Sequence, residues 1–271
     1  MVRRIIALSF VAASFIACST NAITGRNQLK LVSEQELQSM ATTQYQQFLS
    51  ENKVVNASQD RDAEMVRRIG TRIANGIRQY FQSKGQAEAL EGYNWQFNLV
   101  ADNAANAWAM PGGKVVVYTG LLPITKNEAA LAAVLGHEIA HAVLAHGNER
   151  MSQGMAAQGL QTGLSVALAN KPAATQNIFM QAFGIGAQVG VLLPFSRKQE
   201  LEADRYGLIF AALAGYNPRE AIALWQRMEA ASSGQKPPEF LSTHPTEGRR
   251  IEQLQKYMDE ALQYYKPVGS R

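Results

Sequence analysis

The chain has 271 residues, of which 46% are hydrophobic and 18% are charged, and its formal net charge is +4. This composition is typical of a globular protein with a sizeable core, and the length allows one large domain or two small ones. The positive charges form no basic stripe with interleaved aromatic residues, so the sequence predicts no nucleic-acid partner.

The first residues resemble a secretory signal. Arg3 and Arg4 precede an apolar run that ends at residue 17 and is too short to span a bilayer. The next residue, Cys18, is the only cysteine, so it cannot form an internal disulfide. With small Ala17 before it, Cys18 resembles the lipobox of bacterial lipoproteins, which implies cleavage before Cys18 and a lipid anchor on it. An ordinary signal peptide with a coincidental cysteine is the alternative.

The segment after the cysteine is polar, and the first helix signal follows it. Ser33 lies three residues before Glu36 in the pattern of a helix capping box. The predicted parts are a lipoprotein signal peptide (1–17), a lipidated tether (18–32), a single catalytic domain (33–265) and a tail (266–271).

A small sheet is predicted after a second helix, which runs from about residue 60 to 81. Residues 95–101 alternate apolar and polar side chains, as a strand with one buried face does. Residues 106–110 and 114–119 are further strand candidates, separated by the turn signal Pro111-Gly112-Gly113. The predicted fold class is α+β and mainly α-helical. An edge of this sheet could pair with extended peptide backbone, or the sheet could serve packing alone.

The strongest motif follows this sheet. Thr125 and Glu128 form a second capping-box pattern, and the helix that they begin carries His137-Glu138-x-x-His141. His137 and His141 project from one helix face and can share a metal ion, while Glu138 can reach a water molecule beside it. This pattern is typical of zinc hydrolases. The alternative is an amphipathic helix with two surface histidines, but the helix is otherwise apolar, where an unpaired imidazole is costly.

The end of this helix is predicted at Gly147. His146 lies five residues beyond His141, which corresponds to about 140° around a helix, so we expect it to point away from the site. A polar residue near a helix C-terminus is a sufficient explanation for it.

Residues 151–195 are rich in Ala, Gly, Gln and Met and carry few charges. We interpret them as helices that cover the active site, joined at glycines. A membrane-touching surface is the alternative, since the apolar stretches are too short and too polar for a membrane span.

A catalytic zinc needs a third protein ligand, and the helix that begins at Arg197 offers three carboxylates. Glu200 and Asp204 are four residues apart and share a face, whereas Glu202 points to the opposite side. This geometry favours Glu200 as the ligand and Asp204 as the carboxylate that orients a ligating histidine. A solvated, charged helix face is the alternative, and spacing alone leaves the choice open.

Three motifs together resemble one known family. Residues 137–141, residues 196–204 and Thr243-His244-Pro245 are similar, in this order, to the gluzincin metallopeptidases of family forty-eight. That family includes CAAX prenyl proteases and the HtpX, BepA and LoiP types. The likeness is to the soluble, lipoprotein-anchored members, and it covers about residues 25–260.

The resemblance implies a zincin-like catalytic domain with a small sheet packed beside the motif helix. It also implies one Zn²⁺ per chain, bound by His137, His141 and Glu200, with Glu138 as general base. The family's pattern further makes Asp204 the support of a ligating histidine.

Two more residues gain a role from the family. In some members of the family, the residue matching His244 approaches the zinc or the substrate and can block the water position. Arg250 matches an arginine that could stabilise the oxyanion formed in peptide hydrolysis. The alternatives are that His244 only opens the last helix and that Arg250 is a surface charge.

Together these features predict a zinc-dependent endopeptidase of the bacterial cell envelope, lipid-anchored through Cys18, in the outer membrane and facing the periplasm. Its predicted partners are unfolded or misassembled envelope proteins, which it cleaves. The alternative is a chaperone or assembly factor for outer-membrane proteins, with gated or rare proteolysis and with the envelope assembly machinery as partner. A zinc hydrolase of small molecules fits less well, because the candidate edge strand suits extended peptides.

Overall fold

The computed structural model describes residues 18–157, 178–180, 182–183, 196–232, 238–244 and 249–267. The predicted signal peptide and most of residues 158–195 lie outside the described residues. The strands are β1 (Cys18–Thr20), β2 (Asn27–Leu29), β3 (Gln96–Val100), β4 (Ala107–Met110) and β5 (Lys114–Tyr118). The helices are α1 (Glu34–Glu51), α2 (Arg61–Ser83), α3 (Leu122–Thr125), α4 (Glu128–Val143), α5 (His146–Ala157), α6 (Arg197–Leu213), α7 (Glu220–Ser232), α8 (Glu239–Thr243) and α9 (Arg250–Leu262).

A three-stranded sheet separates two parts of the core. Its order is β3-β5-β4, with β3 parallel and β4 antiparallel to the central strand β5. Val115 and Val117 of β5 pack with α2 and α4, whereas Val116 packs on the other face with Trp108 and with residues of α1 and α5. Both faces of β5 are therefore covered, which explains its continuous run of valines. The predicted α+β, mainly helical fold with a small sheet is confirmed.

Helix α4 carries the His-Glu-x-x-His motif through the middle of the domain. Its N-cap is Asn127, whose side chain accepts a hydrogen bond from the Ala130 N–H. The cap predicted at Thr125 is wrong, because Lys126 adopts a left-handed conformation (φ 64°) and ends the short helix α3 between the two positions. Every residue from Ala130 to Val143 is buried, so the motif lies in the core rather than on the surface.

Helices α4 and α6 cross at a pair of glycines. A Cβ atom added at Gly136 would lie 2.5 Å from the Gly207 carbonyl oxygen, and one added at Gly207 would lie 2.8 Å from the His137 nitrogen. Only residues without a side chain permit such close contact of two helix backbones. The crossing brings the carboxylates at the start of α6 next to the motif histidines.

The motif helix ends earlier than predicted. It ends at Val143, and Ala145 takes a left-handed conformation with φ 57°. A new helix, α5, then begins at His146, at an angle of 53° to α4. Gly147 is therefore a residue of α5 and does not terminate α4.

No single helix among the described residues is long and apolar enough to cross a membrane. The bent pair α4 and α5 meets these criteria together, by length and composition only.

Part of the segment predicted as the tether packs on the domain. Strands β1 and β2 pair antiparallel, with Cys18 opposite Leu29, and form what we call the N-terminal hairpin (18–29). The buried side chains of Asn21 and Gln28 both donate hydrogen bonds to the Leu144 carbonyl, at 3.0 Å and 2.9 Å. These bonds satisfy a carbonyl that the end of α4 leaves unpaired, and so they fix the hairpin to the motif helix.

Candidate metal centre

Four buried residues converge on one point. His137, His141, Glu200 and His244 each offer one ligand atom, and these atoms all lie within 4.8 Å of one another. The distance from His137 Nε2 to His141 Nε2 is 3.0 Å, and the distance from His141 Nε2 to Glu200 Oε1 is 3.3 Å. Two donors on a tetrahedral zinc, each about 2.0–2.1 Å from the ion, are about 3.3 Å apart. The spacing therefore fits a zinc ion.

Glu200 is placed by the start of α6. Ser196 caps this helix in a capping box with Gln199, and Glu200 follows directly, about two turns before the crossing at Gly207. Burial alone would raise the pKa of Glu200, but the surrounding histidines hold it well below its usual range. Its buried Oε2 makes no hydrogen bond in the part of the chain that the structure describes. A buried, ionised oxygen of this kind is what a metal ligand requires.

Asp204 contacts His137 at the ring nitrogen that faces away from the donor group. The distance from His137 Nδ1 to Asp204 Oδ1 is 3.0 Å, so Nδ1 carries the proton and Nε2 faces the donor group. Burial would lower the pKa of His137, but its contacts with Asp204 and Glu200 raise it to about 9. Because a metal ion and a proton bind the same lone pair on Nε2, metal binding must displace the proton that this nitrogen carries below the raised pKa.

Glu138 lies beside the donor group without belonging to it. Its carboxyl is buried, and Oε1 lies 3.3 Å from His244 Nε2. Burial raises its pKa. A carboxyl in such a place can accept a proton and give it up again, which suits a general base.

His244 takes the place of a fourth ligand. Its Nδ1 lies 3.0 Å from Glu200 Oε1 and 3.2 Å from His137 Nε2, and its ring stacks on Phe240 with the centroids 4.4 Å apart. The sequence analysis placed His244 at the start of the last helix, and this is wrong. His244 ends the short helix α8, donating its N–H to the Phe240 carbonyl, and α9 begins at Arg250.

Arg250 is buried, so the alternative of a surface charge is wrong, and it contacts the carboxylates of α6. Its Nη2 donates a hydrogen bond of 2.5 Å to Asp204 Oδ1, and its Nη1 lies 3.4 Å from Glu200 Oε2. The guanidinium lies over the Trp225 ring, 3.3 Å from the centroid. These contacts differ from those expected of a residue that stabilises an oxyanion. The guanidinium of Arg250 faces the carboxylates of Asp204 and Glu200.

His146 was excluded by the sequence analysis, yet it contacts a motif histidine. Its Nδ1 lies 2.9 Å from His141 Nδ1, and its Nε2 lies 2.8 Å from Glu202 Oε2. The angle of about 140° assumed one continuous helix, whereas the left-handed Ala145 redirects the chain. The sequence holds no signal for a left-handed alanine. Glu202 contacts His146 and does not belong to the donor group of His137, His141, Glu200 and His244.

Two histidines one helical turn apart, a neighbouring glutamate and a carboxylate from a second helix define a class of zinc metallopeptidases with a His-Glu-x-x-His helix. The chain belongs to Peptidase family M48, whose sequence profile matches residues 61–258. Metallopeptidases of this family are zinc-dependent, in agreement with the His, His and Glu donors described above.

Curated relatives come from several kinds of organism. The mitochondrial metalloendopeptidase OMA1 of Schizosaccharomyces pombe is 40% identical over 168 residues, which are 62% of this chain and 48% of the relative. The mitochondrial metalloendopeptidase OMA1 of Homo sapiens is 31% identical over 260 residues, which are 94% and 48%. The beta-barrel assembly-enhancing protease of Escherichia coli strain K12 is 28% identical over 170 residues, which are 58% and 33%. The chain spans about half the length of the OMA1 relatives it matches.

These relatives correct one prediction. The sequence analysis placed the chain in a bacterial outer membrane, facing the periplasm. This is wrong, because the relatives that match at 36–40% identity are named as mitochondrial proteins. The lipidation of Cys18 and the boundaries of the four predicted parts remain predictions.

Proposed function

We propose that the chain is a zinc-dependent endopeptidase that cleaves unfolded or misassembled proteins. The observation that carries this proposal is the buried donor set of His137, His141 and Glu200, with Glu138 beside it. The family membership supports it, as do the relatives named metalloendopeptidases. Zinc bound by these three residues supplies Lewis acidity, which polarises a scissile carbonyl and acidifies a water molecule.

Glu138 is the proposed general base. Its carboxylate takes a proton from the attacking water and later gives it to the leaving amine. The raised pKa that burial causes makes the carboxyl a better proton acceptor and keeps the proton in the site until the amine departs. Asp204 keeps the Nε2 lone pair of His137 directed at the donor group, and Arg250 balances the charge of Asp204.

The substrate is proposed to be a polypeptide because of strand β4. This strand lies at the edge of the three-stranded sheet, and among the described residues it pairs with β5 alone. An extended peptide can add to such an edge through main-chain hydrogen bonds. Unfolded chains offer extended backbone for such pairing, whereas small molecules do not.

A second candidate function rests on His244. A catalytic zinc keeps one position open, but His244 Nδ1 lies where a fourth protein ligand would bind. We infer that this arrangement is the resting state and that His244 must withdraw before water and substrate enter. A protein with a closed site of this kind could act chiefly as a chaperone or assembly factor and cleave rarely. A relative named beta-barrel assembly-enhancing protease is consistent with this candidate.

The experiment measures bound zinc and cleavage of a reduced, alkylated test protein. Glu138→Gln should retain zinc and cleave about 10²–10⁴-fold more slowly than the wild type, because only the proton transfer is lost. A chelator should abolish the wild-type activity. Equal cleavage by Glu138→Gln and the wild type would refute the assignment of the base.

The same assay with His244→Ala separates the two candidates. If His244 blocks the site, this variant should keep zinc through the three remaining donors and cleave faster than the wild type. If both proteins bind zinc, neither cleaves, and both prevent aggregation of the test protein, the assembly-factor candidate replaces the peptidase. If neither protein binds zinc, the proposed function is wrong.

A further inference from the structure

His141 is supported from behind by a second histidine. Its Nε2 faces the donor group, at 3.0 Å from His137 Nε2, so this nitrogen offers its lone pair and Nδ1 carries the proton. The Nδ1 of His146 lies 2.9 Å away and must therefore accept that proton in a hydrogen bond. His146 then carries its own proton on Nε2, which lies 2.8 Å from Glu202 Oε2 and donates to it. One proton arrangement satisfies all three contacts with both rings neutral.

Glu202 is in turn fixed by an arginine from the N-terminal hairpin. Arg26 lies between β1 and β2 and donates to both carboxylate oxygens of Glu202, at 2.7 Å and 3.1 Å. It also binds both oxygens of Glu149, at 2.6 Å and 2.7 Å. Bidentate contacts of this kind fix orientation as well as charge. A continuous chain of hydrogen bonds therefore joins the hairpin to the motif helix.

The two motif histidines are thus supported in different ways. His137 donates directly to the carboxylate of Asp204, whereas His141 reaches the carboxylate of Glu202 through the ring of His146. Partners of this type fix the ring plane and the tautomer of a metal ligand, and their loss typically weakens metal affinity by about 10–100-fold. His146 is completely buried. Burying an apolar residue in that space would carry no desolvation penalty. The two hydrogen bonds of the buried His146 therefore indicate a role beyond packing.

We propose that His146 is a positioning residue for His141 and that Arg26, acting through Glu202, anchors His146. The N-terminal hairpin then helps to set the orientation of a metal ligand that it does not touch. This proposal rests on the proposed zinc site. It adds to that site a support drawn from a distant part of the sequence.

The test compares zinc dissociation constants, measured by chelator competition on metal-free protein, for the wild type and two variants of His146. His146→Leu fills the space but cannot accept the proton of His141, so zinc affinity should fall about 10–100-fold. His146→Asn places an amide oxygen near the former Nδ1, and affinity should return to within about threefold of the wild type. The visible spectrum of the cobalt-substituted protein should change for His146→Leu, because the ligand ring turns.

Arg26→Ala provides a second variant, at a side chain that is 17% exposed. It should weaken zinc binding about threefold to tenfold, by releasing Glu202. Arg205→Ala is its matched control, because Arg205 also binds both oxygens of a carboxylate, that of Glu260, at 2.7 Å and 2.8 Å, but contacts no donor residue. The control should bind zinc as the wild type does.

The outcomes separate this proposal from the proposed function. A wild-type protein without zinc overturns both. Zinc binding by the wild type with equal affinities for His146→Leu and His146→Asn overturns the positioning role alone. An Arg26→Ala variant that behaves like Arg205→Ala removes the hairpin from the proposal. Greater loss in His146→Leu than in His146→Asn, together with loss in Arg26→Ala, supports it.

Discussion

Replacing Gly207 by alanine should harm metal binding more than it harms folding. The added Cβ would lie 2.8 Å from the His137 nitrogen, whereas ordinary contact begins at 3.4 Å. Backbone atoms cannot rotate away as a side chain can, so helices α4 and α6 must separate by about 0.6 Å to relieve the clash. The distance from His141 Nε2 to Glu200 Oε1, now 3.3 Å, then approaches 4 Å, too long for two donors on one zinc.

Two opposing effects determine the change in stability. Overpacking of a core typically costs about 1–3 kcal/mol, and replacement of glycine by alanine inside a helix returns about 1 kcal/mol. The free energy of unfolding of the metal-free protein should therefore fall by about 0–2 kcal/mol. Zinc affinity should fall by at least about tenfold, as it does when the support of a ligand is disturbed.

The assay pairs urea unfolding of metal-free Gly207→Ala with a chelator competition for zinc. Gly70→Ala is the control, because its Cβ would lie 2.3 Å from the Phe97 ring, between α2 and β3, away from the donor group. It should lose stability and keep wild-type zinc affinity. Wild-type affinity in Gly207→Ala, or equal loss in both variants, would refute the claim that the glycine crossing positions Glu200.

Two further predictions concern buried charges. Arg250→Leu should destabilise the protein by about 3–5 kcal/mol in urea unfolding, because it removes a buried guanidinium that faces the buried carboxylates of Asp204 and Glu200; a loss below 1 kcal/mol would contradict this. Burial would raise the pKa of Glu149, but hydrogen bonds from Arg26 and Gln199 lower it. The contribution of Glu149 to the free energy of unfolding is therefore present above its unfolded pKa of about 4.3 and is lost as pH falls through its folded pKa. Glu149→Gln should therefore be less stable than the wild type by about 1–2 kcal/mol at pH 7, and the difference should shrink below pH 4; a constant difference would contradict the assignment.

Local features of the sequence were sufficient to predict the half of the site that lies on the motif helix. The spacing of His137 and His141 requires only a helix, and helix periodicity is visible over a few residues. The sheet beside the motif helix was equally predictable, since alternation and turn signals are local. These features depend on neighbours in sequence, and so the sequence alone reveals them.

The other half depends on contacts between distant segments. Spacing left the choice among the carboxylates of α6 open, and the backbone contact of Gly136 with Gly207 is what brings Glu200 to the histidines. His244 lies 107 residues from His137 along the chain, so no local pattern could set their separation. The contact of His146 with His141 depends on one left-handed residue, Ala145, which most sequences would not favour there. Packing and one rare backbone conformation decided these outcomes.

The donor set has a mechanical consequence for a chain with a single cysteine. A metal shared by His137, Glu200 and His244 ties together segments that are up to 107 residues apart, as a disulfide does in a secreted protein. The longest of these loops is the one that closes at His244. Withdrawal of that histidine would open the largest loop at the moment when substrate enters. If His244 withdraws as proposed, the resting form is the more tightly cross-linked one, and the form that admits substrate should open locally at a lower cost in free energy.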